Sequence, residues 1–152
     1  GLQSADRHRQ SEDVFRDRSM NEIVLQRVVA MPREFAPGIL YVSDEFGVAG
    51  HLCACGCGSK VVVPLGPVEW TFTERGGRPS LRPSIGNWQL PCRSHYVIRD
   101  GQIVWAGNWT EAQVLSGRRA EEKRRHEYYA ARDRQRSLLS RLWRWIARRF
   151  GG

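Results

Sequence analysis

The sequence predicts a mainly β protein, a small antiparallel β domain followed by a long basic α-helix. Three observations predict this fold class. Runs of β-branched and aromatic residues, broken by glycine, proline, aspartate and asparagine, fill residues 22–109. Three of the four cysteines crowd into HLCACGCG, residues 51–58. From Thr110 onward the chain has no proline and many strong helix formers.

Composition sets the outer limits of the prediction. A chain of 152 residues is long enough for one domain with little left over. It contains no apolar run of spanning length and no apolar region near its beginning that is typical of a secretory signal, so a cytoplasmic protein is expected. The net charge of +8 is uneven, because residues 117–152 hold 12 Lys or Arg against 4 Asp or Glu. The first 116 residues are therefore neutral, with 12 charges of each sign.

Three segments follow from these patterns. Residues 1–21 lack hydrophobic periodicity and are predicted to be a disordered leader. Residues 22–109 form the β domain. Asp100-Gly101 is a strong hairpin signal, and Gly76-Gly77 is a weaker one. The candidate strands are 23–30, 39–43, 60–65, 68–74, 94–100 and 102–107.

Residues 110–152 are predicted to form a basic amphipathic helical tail. Thr110 is a suitable first cap, and Gln113, three residues later, completes a capping box. Gly117 is a possible interruption of the first turns.

The cysteines and their neighbours suggest a metal site. Zinc takes four thiolate or imidazole ligands, commonly as two close pairs from separate segments. The candidate ligands are four of five residues, Cys53, Cys55, Cys57, Cys92 and His95, with His51 as a sixth candidate. Alternating cysteines on a strand could instead form a buried stripe, or Cys92 could form a disulfide, but Gly56 and Gly58 favour a bend. Zinc is the expected cofactor, which makes the predicted fold a small zinc-stabilised β domain.

Candidate catalytic residues lie around the same segments. Four protein ligands would indicate a structural zinc, whereas an open position would allow a zinc-bound water to react. Alternatively, His51 or His95 stays off the metal and activates a nearby hydroxyl, Ser84 or Ser94. Ser84 and Asn87 also flank a glycine whose neighbouring amides could stabilise an oxyanion, although an ordinary turn explains the same residues.

Several pieces of the chain together resemble a known bacterial family. They are PREFAPGILYVSDEFGVAGH, HLCACGCG, SLRPSIGNW (80–88), PCRSHY (91–96) and IRDGQIVW (98–105). Over about residues 27–105 the chain resembles the bacterial zinc-binding domain-of-unknown-function family six-five-two-seven, whose members occur beside ubiquitin-like conjugation genes. The resemblance implies a partner that is a ubiquitin-like protein or one of its conjugation enzymes.

Two functions remain open on this evidence. One is a hydrolase, a processing or deconjugating peptidase that acts on a ubiquitin-like protein. The other is a non-catalytic zinc-stabilised module that binds such a protein or its enzymes. A serine within hydrogen-bond reach of a histidine outside the metal site would favour the peptidase.

The end of the tail suggests a separate role. Leu139, Trp143, Ile146 and Phe150 recur at helical spacing, and arginines occupy the other positions. Tryptophan with arginine is typical of a helix lying on an anionic membrane, so residues 137–150 are a candidate for peripheral membrane binding. Docking onto the β domain or another protein, and nucleic-acid binding without a reading motif, are the alternatives.

Overall fold

A computed structural model describes residues 20–150, except for the side chain of Phe150. Nearly all of the predicted leader, 1–21, lies outside these residues. In order along the chain, the elements are β1 (Val24–Arg27), β2 (Ile39–Ser43), β3 (Val48–Leu52), β4 (Lys60–Pro64), β5 (Thr71–Arg75), β6 (Arg78–Gly86), β7 (His95–Arg99), β8 (Gln102–Trp105) and α1 (Glu111–Phe150).

The strands form two four-stranded sheets, ordered β1-β2-β3-β4 and β5-β6-β7-β8. Among the described strands, β1 and β2 pair in parallel and every other pair is antiparallel. The predicted fold class, a mainly β domain followed by a long helix, is confirmed.

One hydrophobic core joins the two sheets. Leu40, Val42 and Ala49 of the first sheet belong to the same buried cluster as Leu81 and Ile98 of the second. These side chains are fully buried. Each fully buried aliphatic side chain contributes about 1.5–3 kcal/mol, so this core is the main stabilising contribution of the β unit.

The hairpin signals are confirmed at both positions. Asp100 and Gly101 have φ angles of 47° and 77°, and Gly76 and Gly77 have 55° and 76°. Two consecutive positive φ angles define the type I′ turn, whose twist matches that of the flanking strands. The Asp100 amide also donates to Ser80 Oγ at 2.8 Å.

Two strands were absent from the prediction. β6 contains Pro79 and Pro83, which normally argue against a strand. β3 contains Gly50, where an added Cβ would lie 2.9 Å from the ring of Phe35. Both strands therefore form where tertiary contacts override a weak local signal.

The tail is helical as predicted. The Thr110 amide donates to Gln113 Oε1 at 2.8 Å and the Gln113 amide to Thr110 Oγ1 at 3.3 Å, which confirms the capping box. Gly117 does not interrupt α1; an added Cβ there would lie 3.0 Å from the ring of Trp109. The chain divides into two compact units between Asn108 and Trp109. Within 20–150, no helix is long and apolar enough to cross a bilayer.

Candidate functional site

The first feature of the site is a tight turn that gathers the cysteines. β3 ends at Leu52, and the chain then reverses so that the Cys53 amide donates to the Ser59 carbonyl at 2.8 Å. Gly56 and Gly58 have φ angles of 84° and 79°, which a residue with a Cβ rarely adopts. The segment is therefore a turn, and the alternative of three cysteines along a regular strand is not observed.

The four thiols converge on one point. The Sγ atoms of Cys53, Cys55, Cys57 and Cys92 all lie within 4.8 Å of one another. Cys53 Sγ is 3.4 Å from Cys55 Sγ and 3.9 Å from Cys92 Sγ, and Cys57 Sγ is 3.8 Å from Cys92 Sγ. Zinc–sulfur bonds of about 2.3 Å in a tetrahedron require sulfurs about 3.8 Å apart. The donors and their spacing fit a four-coordinate metal ion.

The thiols differ in their acidity. Burial raises the pKa of Cys53 and that of Cys55. Burial also acts to raise the pKa of Cys57, but hydrogen bonds with Ser59 outweigh it and the pKa falls to about 7. A metal that binds all four thiolates must therefore displace protons that the fold holds on the buried members.

Ser94 and Asn87 surround this cluster. Ser94 Oγ lies 3.0 Å from Cys53 Sγ, and Asn87 Nδ2 donates to Ser94 Oγ at 2.9 Å and to Cys53 Sγ at 3.4 Å. The Asn87 amide donates to the Ser94 carbonyl at 2.9 Å. Ser94 thus lies against the sulfurs, and Asn87 directs its side-chain and backbone N–H groups at Ser94 and Cys53.

His51 lies in the core. It is 1% exposed, and its Nε2 is 2.8 Å from the hydroxyl of Tyr96. Burial lowers the pKa of His51 to about 4, so the ring is neutral at physiological pH. The Tyr96 hydroxyl also accepts from the Ala54 amide at 3.3 Å, within the cysteine turn. His51 therefore supports the turn from behind and is not exposed to a substrate.

The second feature of the site is a hydrogen-bonded pair, Ser84 and His95. His95 Nε2 is 2.9 Å from Ser84 Oγ, and its Nδ1 is 2.9 Å from the Gly107 carbonyl oxygen. A carbonyl can only accept, so Nδ1 carries the proton of the neutral ring. Nε2 is then the acceptor for the Ser84 hydroxyl. This is the arrangement that a general base and its nucleophile require.

A bulge in β6 brings these two side chains together. Leu81 pairs with Ile98 and Ile85 with Tyr96, so four steps along β6 match two along β7. The surplus residues leave the ladder, and Ser84 is one of them. Bulges of this kind redirect a side chain beside active sites. Ser84 is partly exposed, whereas His95 is 6% exposed. The hydroxyl is therefore the member of the pair that solvent reaches more freely.

Trp88 packs against the histidine. The two ring centroids are 4.9 Å apart, with planes inclined by 58°. The guanidinium of Arg93 lies 5.9 Å from the centroid of the Trp88 ring. A Cβ added to Gly86 would lie 2.3 Å from Trp88 Nε1, so this position has room for glycine alone while the indole stays in place. Trp88 therefore covers His95.

Apart from His51, which lies in the core, the predicted site residues therefore fall into two groups. Cys53, Cys55, Cys57, Cys92 and Ser94 surround one point, and His95 pairs with Ser84. The alternation of side chains along an extended strand would have predicted this separation, because the adjacent residues Ser94 and His95 project to opposite faces. The contacts of Gly107 and Trp88 with His95 had no sequence signal, since both arise from tertiary packing.

The fold and these two clusters define a small two-sheet β protein that combines a four-cysteine cluster, spaced as metal ligands are, with a serine–histidine pair. A family model described as bacterial ubiquitination-like system serine protease (BubE) matches residues 27–106, which is 80 of the 152 residues. The chain belongs to this family. The predicted link to a bacterial ubiquitin-like system is thereby confirmed. Neither a curated protein nor a solved structure matches the chain.

Proposed function

We propose that the protein is a serine peptidase that processes or deconjugates a ubiquitin-like protein in the bacterial cytoplasm, with Ser84 as nucleophile and His95 as general base. The observation that carries the proposal is the Ser84–His95–Gly107 chain of hydrogen bonds, which fixes the acceptor nitrogen toward the hydroxyl. Family membership supports the type of pathway and the type of chemistry. The stretch that resembles family six-five-two-seven coincides with the matched stretch, and we take the two descriptions to refer to one group.

The reaction follows the geometry. Ser84 Oγ attacks the carbonyl carbon of the scissile amide while its proton moves to His95 Nε2. His95 then gives this proton to the leaving amine, which departs as the acyl ester forms on Ser84. Water attacks the ester with His95 again as base, and Ser84 Oγ recovers a proton as the acid product leaves. The Gly107 carbonyl orients the imidazole throughout.

We assign zinc to the four-cysteine cluster in a structural role. Four protein thiolates leave no position for water, and thiolates reduce the Lewis acidity of the metal. The residues that follow Cys92 lead directly into β7, whose first residue is His95. Metal bound at Cys92 would therefore hold the beginning of the strand that presents the base. Cys53, Cys55, Cys57 and Cys92 would be the ligands.

The test uses a probe for activated serines and a natural type of substrate. A fluorophosphonate should label Ser84, and the full chain should cleave a fusion of a ubiquitin-like protein encoded in the same genome. Ser84→Ala should abolish labelling and lower kcat/KM by at least about 10³-fold, because the nucleophile is lost. Metal content and thermal stability should stay unchanged.

Ser80→Ala is the matched control, since Ser80 lies on the same strand but bonds to the Asp100 amide. It should retain labelling and cleavage. If the native chain neither reacts with the probe nor cleaves any such fusion, yet binds the ubiquitin-like protein, the non-catalytic module replaces the peptidase.

A further inference from the structure

The last part of α1 carries a wide apolar face that is open to solvent. Among its large side chains, Leu138 is 62% exposed, Leu142 52%, Trp143 68% and Trp145 57%. At about 100° per residue, all six apolar side chains from Leu138 to Ile146 fall within an arc of about 160°. The two tryptophans lie at the edges of this arc. Exposure of such a face to water raises the free energy of the protein, and covering it is favourable.

The opposite face is basic. Arg141, Arg144 and Arg148 lie within an arc of about 60° centred on the side away from the apolar residues. No aspartate or glutamate occurs after Asp133, so residues 134–150 hold six arginines and no acid. Arg149 falls inside the apolar arc, where its guanidinium lies 5.7 Å from the centroid of the Trp145 ring. Its charge can remain at the polar edge while its stem covers the indole.

We infer that residues 137–150 bind in the plane of an anionic lipid surface, with the apolar arc in the acyl boundary and the arginines among the headgroups. Tryptophan at the edges of an apolar arc is suited to the headgroup level, because its ring is apolar and its N–H is polar. The positive charge complements acidic lipids. This inference is independent of the peptidase.

Two other occupants fit the observations less well. A second copy would bring six more arginines against the first six with no acid in either segment to pair them, which is repulsive. Nucleic acid would complement the arginines but would leave the apolar arc in water. An anionic lipid surface satisfies both faces at once.

The test measures co-sedimentation of the full chain with vesicles of phosphatidylcholine alone and of phosphatidylcholine mixed with phosphatidylglycerol. The native chain should bind the mixed vesicles and bind them more weakly as salt increases, because exposed charges are screened over about 10 Å at 0.1 M salt. Arg141→Gln, Arg144→Gln and Arg148→Gln together should weaken this binding on the order of 100-fold at low salt. The residual binding should depend less steeply on salt, because three of the six arginines of residues 134–150 remain.

The contribution of the apolar face to vesicle binding is tested with a matched pair of leucine variants. Leu142→Gln should weaken binding at least about tenfold at every salt concentration, because buried apolar area is insensitive to screening. Leu115→Gln changes a leucine of equal exposure, 52%, on the same helix and should have no effect. Arg118→Gln, Arg119→Gln and Arg124→Gln together remove the same charge outside the segment and should leave most binding intact. Circular dichroism should show unchanged helix content in all variants.

Several outcomes would overturn the inference. One is that the native chain does not bind mixed vesicles at low salt. Another is that the two triple arginine variants lose equal amounts of vesicle binding, and a third is that the two leucine variants bind vesicles equally. A dimer in sedimentation equilibrium that Leu142→Gln disrupts would assign the face to a second copy. Binding to duplex DNA or RNA that Leu142→Gln leaves unchanged, without vesicle binding, would assign the arginines to nucleic acid. Ser84→Ala should bind vesicles like the native chain, which keeps this test separate from that of the peptidase.

Discussion

Trp88 packs against the His95 ring and helps to hold its orientation. Hydrogen bonds fix the two ring nitrogens of His95, but a ring held by two in-line contacts can still rotate about the axis through them. The indole packed at 4.9 Å, inclined by 58°, opposes that rotation. Trp88 is therefore a positioning residue in the proposed peptidase, and misplacement of a base by about 1 Å is enough to lower a rate about 100-fold.

Trp88→Ala should lower kcat about 10- to 100-fold while KM and zinc content change little, because only the orientation of the base is disturbed. Trp88→Phe should restore most of the rate, since it restores a ring against the imidazole. Gly86→Ala should resemble Trp88→Ala, as its Cβ displaces the indole, whereas Gly66→Ala, whose nearest contact is 3.4 Å, should be neutral. Steady-state kinetics of the folded variants measure this. A loss of rate that only follows a loss of folded protein would contradict the positioning role.

At the scale of elements, the cysteine turn and the segment before β7 depend on each other. Cys53, Cys55 and Cys57 come from the turn after β3, and Cys92 comes from the segment that precedes β7. A shared metal would join the two sheets at this point. Without it, the turn, which contains two glycines at positive φ, would be held by the Cys53–Ser59 and Ala54–Tyr96 hydrogen bonds and by contacts between neutral thiols.

The purified protein should hold about one zinc per chain, and a chelator should unfold the β unit, because the binding free energy of a structural zinc contributes to folding. Metal analysis and thermal unfolding followed by circular dichroism measure the two. Cys92→Ser should lose both metal and cooperative unfolding. Ser94→Ala should keep the fold but weaken zinc binding about 10- to 100-fold, since it removes a hydrogen bond to a ligand sulfur. A metal-free protein with a disulfide between Cys92 and the turn would refute the zinc assignment.

At the scale of the whole molecule, the proposed catalytic groups and the proposed lipid-binding segment lie in different units. The core cluster, the four cysteines and the Ser84–His95 pair all precede Asn108, and the exposed apolar arc lies in α1. A peptidase anchored to a lipid surface through its second unit would act on substrates near that lipid surface, with the same catalytic groups.

A chain that ends at Arg136 should therefore keep its zinc and its kcat/KM on a soluble fusion substrate, and should lose vesicle binding. The reason is that no side chain of the core cluster or of either proposed site lies beyond Asn108. Kinetics and vesicle co-sedimentation on the same preparation measure both properties. A large fall in kcat/KM on the soluble substrate would show that residues 137–152 contact the substrate, contrary to this separation.

The features that could be predicted from the sequence of this protein are local ones. The type I′ turns at Gly76-Gly77 and Asp100-Gly101, the Thr110–Gln113 capping box and the long helix follow from residue types a few positions apart. The gathering of three cysteines into one turn follows from their glycine-rich spacing. Local sequence is sufficient in these cases because turn angles and caps are decided by near neighbours.

Which of the candidate site residues lie together depends, by contrast, on tertiary contacts. His95 was a candidate ligand and Ser94 a candidate nucleophile, yet Ser94 faces the sulfurs and His95 faces Ser84. This pairing of His95 with Ser84 depends on the two extra residues in β6 and on the register of β6 with β7. A change of one residue in register sends a side chain to the other face of the sheet. Register is set by the burial of Leu81, Ile85, Tyr96 and Ile98 against the shared core, so it depends on contacts between residues far apart in the chain.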